Sequence, residues 1–144
     1  MKRDISPRLQ EIVHALPIRK GMKVMEIGCG SGVVARELSN KLDDGYVLAI
    51  DRSPKAISQA IKMSSAQLKN GNLEYINSSI EELEFAHNDY FDIIFAIRVG
   101  VLDGRHPERK NLALDKIRRL LKPGGKLYID GGKPLQEIFT KLIQ

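Results

Sequence analysis

The sequence predicts an α/β fold: a doubly wound sheet of about five mainly parallel strands with helices on both faces. Three observations carry that expectation. Five short apolar runs alternate with longer segments of helical period, and turn residues separate them. The run from Phe91 to Ile97 is apolar almost throughout, as a strand covered on both faces must be. Finally, 144 residues with no repeat, linker or low-complexity tract fit a single domain over 1–144.

The elements follow in order. Ser6-Pro7 opens a helix, with a hydroxyl cap and a proline at the first helical position, and Ile5, Leu9, Ile12, Val13 and Leu16 share one face. After a break from Pro17 to Gly21, Val24 to Ile27 is a strand. The glycine run Gly28-Cys29-Gly30-Ser31-Gly32 leads into a helix from about Val33 to Lys41. Tyr46 to Ile50 is a second strand. Ser53-Pro54 caps the next helix, with Ile57, Ala60, Ile61 and Leu68 inward, and Asn70-Gly71 ends it.

Leu73 to Ile76 is the third strand, followed by a helical turn near Glu81–Leu83, and Phe91 to Ile97 is the fourth strand. A helix from Glu108 to Leu121 buries Leu114, Ile117, Leu120 and Leu121. Lys122-Pro123-Gly124-Gly125 turns the chain into a fifth strand, Lys126 to Ile129. Pro134 opens a last helix carrying Leu135, Ile138, Phe139 and Leu142. That leaves the fifth strand's edge open to this helix or to a second subunit, so a homodimer is allowed.

Composition excludes several classes. Cys29 is the only cysteine, so no internal disulfide can form. No apolar stretch follows the charged start, and charges interrupt every apolar run well short of the roughly 18 residues a spanning helix needs. The expectation is a cytoplasmic protein without membrane attachment. The net charge is +5, but Lys and Arg alternate with Asp and Glu, which favours a solvated surface over a nucleic-acid face. No His/Cys cluster has metal-ligand spacing, so no metal is expected.

The glycine run carries the chemistry. Between a strand and a helix, glycines permit positive φ and close approach of a ligand to the backbone. The spacing G-x-G-x-G departs from the dinucleotide pattern, whose last glycine position is Val33 here. Glu26, two residues before Gly28, would repel a pyrophosphate but suits a ligand carrying ammonium or sulfonium. Asp51 ends the second strand, 19 residues beyond Gly32, where a carboxylate can accept both hydroxyls of a ribose. The plainer alternatives are an exposed strand-end charge for Glu26 and a helix-entry cap for Asp51.

Val24–Gly32, Leu48–Asp51 with Ser53-Pro54, Phe91–Ala96 and Leu120–Leu127 together resemble the class I S-adenosylmethionine-dependent methyltransferases. The resemblance covers nearly the whole chain and implies a Rossmann-like fold without the family's usual C-terminal strand pair. It also implies S-adenosyl-L-methionine as cofactor and S-adenosyl-L-homocysteine as product. On that resemblance, Glu26, Gly28, Cys29, Gly30 and Gly32 surround the methionine part, and Asp51 with Arg52 holds the ribose. Ser79, where many relatives have Asp, and Ile80 meet the adenine, and Ala96 closes the fourth strand beneath the cofactor.

Methyl transfer from a sulfonium is an in-line displacement in which the protein mainly orients the acceptor. A catalytic cluster is therefore not required, and His106 and Asp130 are the candidates for a base at the ligand end. Arg98, with Arg105, is the candidate for holding a carboxylate or phosphate on the acceptor; the alternative is an ion pair of Arg98 with Asp103 or Glu108. Cytosine C5 methylation is excluded because the sole cysteine lies in the glycine run. Base-amine methylation is disfavoured because Ala96-Ile97-Arg98-Val99 stands where the resemblance would require an Asn- or Asp-Pro-Pro-aromatic motif. A small-molecule acceptor is favoured. RNA or protein methylation, a non-catalytic cofactor-binding subunit and a nicotinamide oxidoreductase are the competing readings.

Overall fold

The computed structural model describes residues 5–100, 102 and 107–139. The elements run α1 (Pro7–Ala15), β1 (Lys23–Ile27), α2 (Val33–Lys41), β2 (Tyr46–Asp51), α3 (Pro54–Met63), α4 (Ser65–Asn70), β3 (Leu73–Asn77), β4 (Phe91–Ala96), α5 (Pro107–Leu120), β5 (Leu121–Asp130) and β6 (Leu135–Ile138). The sheet order is β3-β2-β1-β4-β5-β6. All pairs are parallel except β5 with β6. Strand order reverses between β1 and β4, which places a crevice at their carboxyl ends.

Side-chain alternation along the strands divides the core in two. Met25, Ile27, Leu48, Ile50, Ile94 and Leu127 pack under α5 through Ala113, Leu114 and Ile117. Val24, Val47, Ala49, Ile93 and Phe95 face Ile12, Val13, Leu16, Val34 and Leu38 of the other helical layer. The serine caps behave as their chemistry requires: Ser6 Oγ accepts from Leu9 N at 3.2 Å and Ser53 Oγ from Ala56 N at 3.1 Å.

Three expectations are corrected. The segment after Pro134 is a strand, not a helix, and it pairs antiparallel with β5 from Asp130↔Leu135 to Leu127↔Ile138. Leu135 packs with the α1 side of the core and Ile138 with the α5 side, an alternation no helix could give. Gly131-Gly132-Lys133-Pro134 is the four-residue connection of a hairpin, a signal the helical spacing of apolar residues outweighed. The edge of β5 is therefore covered by this chain itself. Leu142 lies outside the described residues.

The helix expected from Pro54 to Asn70 is broken at Ser64, whose backbone leaves the helical region (φ −116°, ψ 24°). Ser64 is fully inward at the break, and Ile61, expected inside, is 45 % exposed. The fifth strand begins earlier than expected, at Leu121. Lys122 to Gly125 bulge between the Phe91↔Leu121 and Ile93↔Lys126 pairs.

Candidate functional site

The glycine loop lies at the carboxyl end of β1, in the crevice that the sheet order creates. Gly28 and Gly30 adopt φ of +77° and +55°, and Gly32, the N-cap of α2, adopts +86°. These values favour glycine. A Cβ on Gly32 would overlap the Tyr75 hydroxyl, and one on Gly28 would come within 2.8 Å of Val99 Cγ2. At Gly30 nothing lies within 4 Å of that position, so its α-carbon faces open space.

Asp51 ties this loop to the end of β2. Its Oδ2 accepts from Gly30 N at 2.8 Å and its Oδ1 from Ser53 N at 2.9 Å. The helix-entry role is thus real, and it leaves lone pairs on both oxygens for further donors. A second support stands behind the loop. Arg36 Nη1 donates to Ser31 O at 2.7 Å and to Ser64 Oγ at 3.1 Å, and Ser64 shares a 2.8 Å hydrogen bond with Tyr75. This network accounts for the inward turn at Ser64.

Glu26 is not an exposed strand-end charge. It occupies the central strand between Ala49 and Phe95 and is 3 % exposed. Burial, reinforced by the nearby Asp51 carboxylate, pushes its pKa up to about 8, against the pull of a hydrogen bond from the Ala35 backbone. Its Oε1 is buried and has no partner among the described residues. Such a group is costly unless a ligand satisfies it. Burial likewise raises the Cys29 thiol, helped by Glu26 and Asp51, which disfavours the thiolate form.

Two clefts flank the loop and meet at Gly28 and Arg98. One, about 250 Å³, is lined by Glu26, Cys29, Gly30, Ser31 and Arg8. The other, about 300 Å³, is lined by Asp51, Arg52, Ser79, Ile80, Val99 and Arg109. The expected residues Glu26, Gly28, Cys29, Gly30, Asp51, Arg52, Ser79 and Ile80 thus converge on one continuous trough. Gly32 stands just behind it, and Ala96 is buried at the end of β4 beneath it. Ser79 has a local duty: its Oγ accepts from Glu82 N and donates to Glu82 Oε1, both at 3.2 Å, in a reciprocal capping arrangement.

Arg98 is exposed, with φ +58°, and borders both clefts. Its backbone N–H donates to Asp130 Oδ1 at 3.1 Å, while Asp130 Oδ2 accepts from Arg8 Nη2 at 3.4 Å. Asp130 therefore joins α1, the exit of β4 and the end of β5. No described residue gives the Arg98 guanidinium an ion pair; Arg105, His106 and Asp103 lie outside the described residues. Sequence reasoning missed Arg8 and Arg109. Arg109 had a readable signal, a cation in the first turn of α5 beside the positive end of the helix dipole.

A methyltransferase-domain family model matches residues 18–143. Among curated relatives, the sterol 24-C-methyltransferase erg6 of Aspergillus fumigatus is 30 % identical over 114 residues, 79 % of this chain and 29 % of the relative. The ubiquinone/menaquinone biosynthesis C-methyltransferase UbiE of Shewanella sp. (strain ANA-3) is 32 % identical over 130 residues, 86 % of this chain and 48 % of the relative. The chain thus spans less than half the length of either.

Among solved structures, a SAM-dependent methyltransferase from Aquifex aeolicus superposes with a TM-score of 0.68 at 23 % identity, covering 84 % of this chain and 62 % of that one. Haemonchus contortus phosphoethanolamine N-methyltransferase 1, in complex with phosphoethanolamine and S-adenosylhomocysteine, gives 0.73 at 19 % identity, covering 85 % and 24 %. These likenesses concern the fold. With its sequence matched from Ile18 almost to its end, the chain belongs to the methyltransferase-domain family, in the class I S-adenosylmethionine-dependent group.

Proposed function

We propose that this chain binds S-adenosylmethionine along the trough and transfers its methyl group to a small-molecule acceptor. The observation that carries the reading is Glu26: a buried carboxylate with an unpartnered oxygen, at the end of a central strand, beside a loop open at Gly30. An ammonium group is the natural partner for such an oxygen. The residues present fit the cofactor at both ends. Glu26 and the loop backbone suit its amino-acid end, and the free lone pairs of Asp51 suit a ribose diol.

When bound, the sulfonium of that cofactor supplies an already activated methyl group. The protein's task is then to orient and exclude. The loop amides and Asp51 fix the position of the donor, and Ile80 and Val99 offer apolar walls for a flat ring. Arg52 borders the ribose position and Ser79 the adenine position, its hydroxyl shared with Glu82. Arg98, at the meeting of the two clefts, is placed to orient the acceptor. Asp130, engaged by Arg8 and by the Arg98 amide, acts as a brace for that position, which leaves His106 as the candidate base where the acceptor carries a proton of high pKa.

Relatives named for sterol and quinone methylation support a small-molecule acceptor. Calorimetric titration with S-adenosylmethionine and S-adenosylhomocysteine, with NAD and NADP as controls, tests the reading. Binding of the adenosyl ligands alone supports it; absence of that binding, or preference for a dinucleotide, overturns it.

A further inference from the structure

The cleft beside Asp51 is lined by three guanidiniums and two carboxylates, and the cofactor reading gives work to only one of the three cations, Arg52. Arg52 leaves the end of β2, Arg98 the end of β4, and Arg109 the first turn of α5, and all three line it. No described residue gives any of them a carboxylate partner. Elsewhere Arg8, Lys20, Lys122 and Lys126 each have one, Asp130, Asp43, Asp92 and Glu137 respectively. Two acids, Asp51 and Glu81, share the lining and offset two of the three charges, which leaves one cation in excess; neither acid forms an ion pair with Arg52, Arg98 or Arg109 among the described residues.

Guanidiniums that share a cleft repel one another, and Arg109 also sits at the positive end of its helix. An anion in the cleft relieves both penalties. The adenosine part of the cofactor carries no negative charge, and its single carboxylate belongs to the amino-acid end beside Glu26, so the cofactor brings no anion to Arg109. Resting on the reading that the adenosine part fills this cleft, we propose that the methyl acceptor is a small acid. Its carboxylate or phosphate docks on Arg98 and Arg109 at the cleft mouth, with Arg52 on the facing wall. Guanidinium forks match both oxyanions by paired hydrogen bonds. Because Arg98 also borders the cleft of Glu26, an anion held there sits beside the junction at which the methyl group is delivered. The charges meet in one concavity rather than along a stripe, which favours a compact acid over a polyanion.

The test uses the full chain saturated with S-adenosylhomocysteine, at ionic strength held constant with chloride. Inorganic phosphate and benzoate are titrated separately, and whichever binds more tightly identifies the oxyanion. Saturable binding of one of them is expected, weakened about tenfold by Arg109→Ala, as loss of a charge-assisted hydrogen bond implies, and further by adding Arg98→Ala. Lys110→Ala removes an equal charge from the same helix turn outside this cleft and should leave the binding constant within about twofold. If neither anion saturates while S-adenosylhomocysteine still binds, the acid acceptor is wrong and the cofactor reading survives. If S-adenosylhomocysteine fails to bind, both fall. Equal weakening by Lys110→Ala, or displacement of the anion by a short RNA with steep salt dependence, also overturns the proposal, in favour of a polyanion surface.

Discussion

The carboxylate of Asp51 holds the backbone of Gly30, 21 positions earlier in the chain, through a 2.8 Å hydrogen bond. The acid that lines one end of the trough is therefore also a structural member of the loop that forms the other end. Its two duties separate by substitution. Asp51→Ala should cost about 1–3 kcal/mol of stability, because charge-assisted bonds to two amides are lost, and should weaken S-adenosylhomocysteine binding as well. Asp51→Asn keeps one acceptor and should recover much of the stability while affinity stays low. Denaturant melts and calorimetry on both variants check this. Equal recovery of stability and affinity in Asp51→Asn would rule out a ligand role for the charge.

Glu26 makes stability and binding depend on pH in opposite directions. Its folded pKa, about 8, lies above the ordinary 4.5, so between those values the folded state holds a proton that the unfolded state has lost. The ligand-free protein should therefore lose stability as pH rises through this window. An ammonium ligand favours the ionised form, so affinity for S-adenosylhomocysteine should rise with pH toward about 8 and binding should release a proton. Calorimetry in two buffers of different ionisation enthalpy measures that release. Glu26→Gln should flatten both profiles; a proton release that persists in this variant would place the titrating group elsewhere.

Gly30 and Gly32 should respond differently to alanine. Both positions are left-handed, and a non-glycine residue there costs roughly 1–2 kcal/mol. At Gly32 the added carbon also meets Tyr75 and Arg36, so Gly32→Ala should damage folding first. At Gly30 it enters open space in the trough, so Gly30→Ala should lose ligand affinity out of proportion to its stability loss. Thermal melts beside binding titrations make the comparison.

The Arg36–Ser64–Tyr75 network should behave as a unit. Ser64 is fully buried, and removing either hydroxyl leaves a partner unsatisfied, at about 1–3 kcal/mol. Ser64→Ala and Tyr75→Phe should each destabilise the protein by that order, and the double variant by clearly less than the sum. Strict additivity would show that the hydroxyls act independently.

Much of this architecture is written in local sequence. The serine-proline caps, the apolar strands and the positions of Gly28, Gly30 and Asp51 all follow from chemistry within a few residues. What was illegible depends on distant partners. Ile61 reads as a core residue on helical spacing but is exposed, while Ser64, three residues on, is buried against Tyr75, 11 positions later. The last strand was missed because Leu135 and Ile138 fit a helical period equally well, and only the open edge of β5 decides between the two. The burial of Glu26 follows from its position on a central strand. Its unpartnered oxygen could not be read from sequence, because it depends on which donors other elements bring to it.

Asp130 gives the first helix a voice at the far end of the chain. Arg8 reaches it across 122 positions, and the Arg98 amide rests on its other oxygen. That single amide proton is consequently a built-in gauge of helix docking. Any event that lifts α1 from the sheet, whether a cut in the N-terminal segment or a crowded acceptor, should speed its exchange with deuterium while amides within β4 keep their protection.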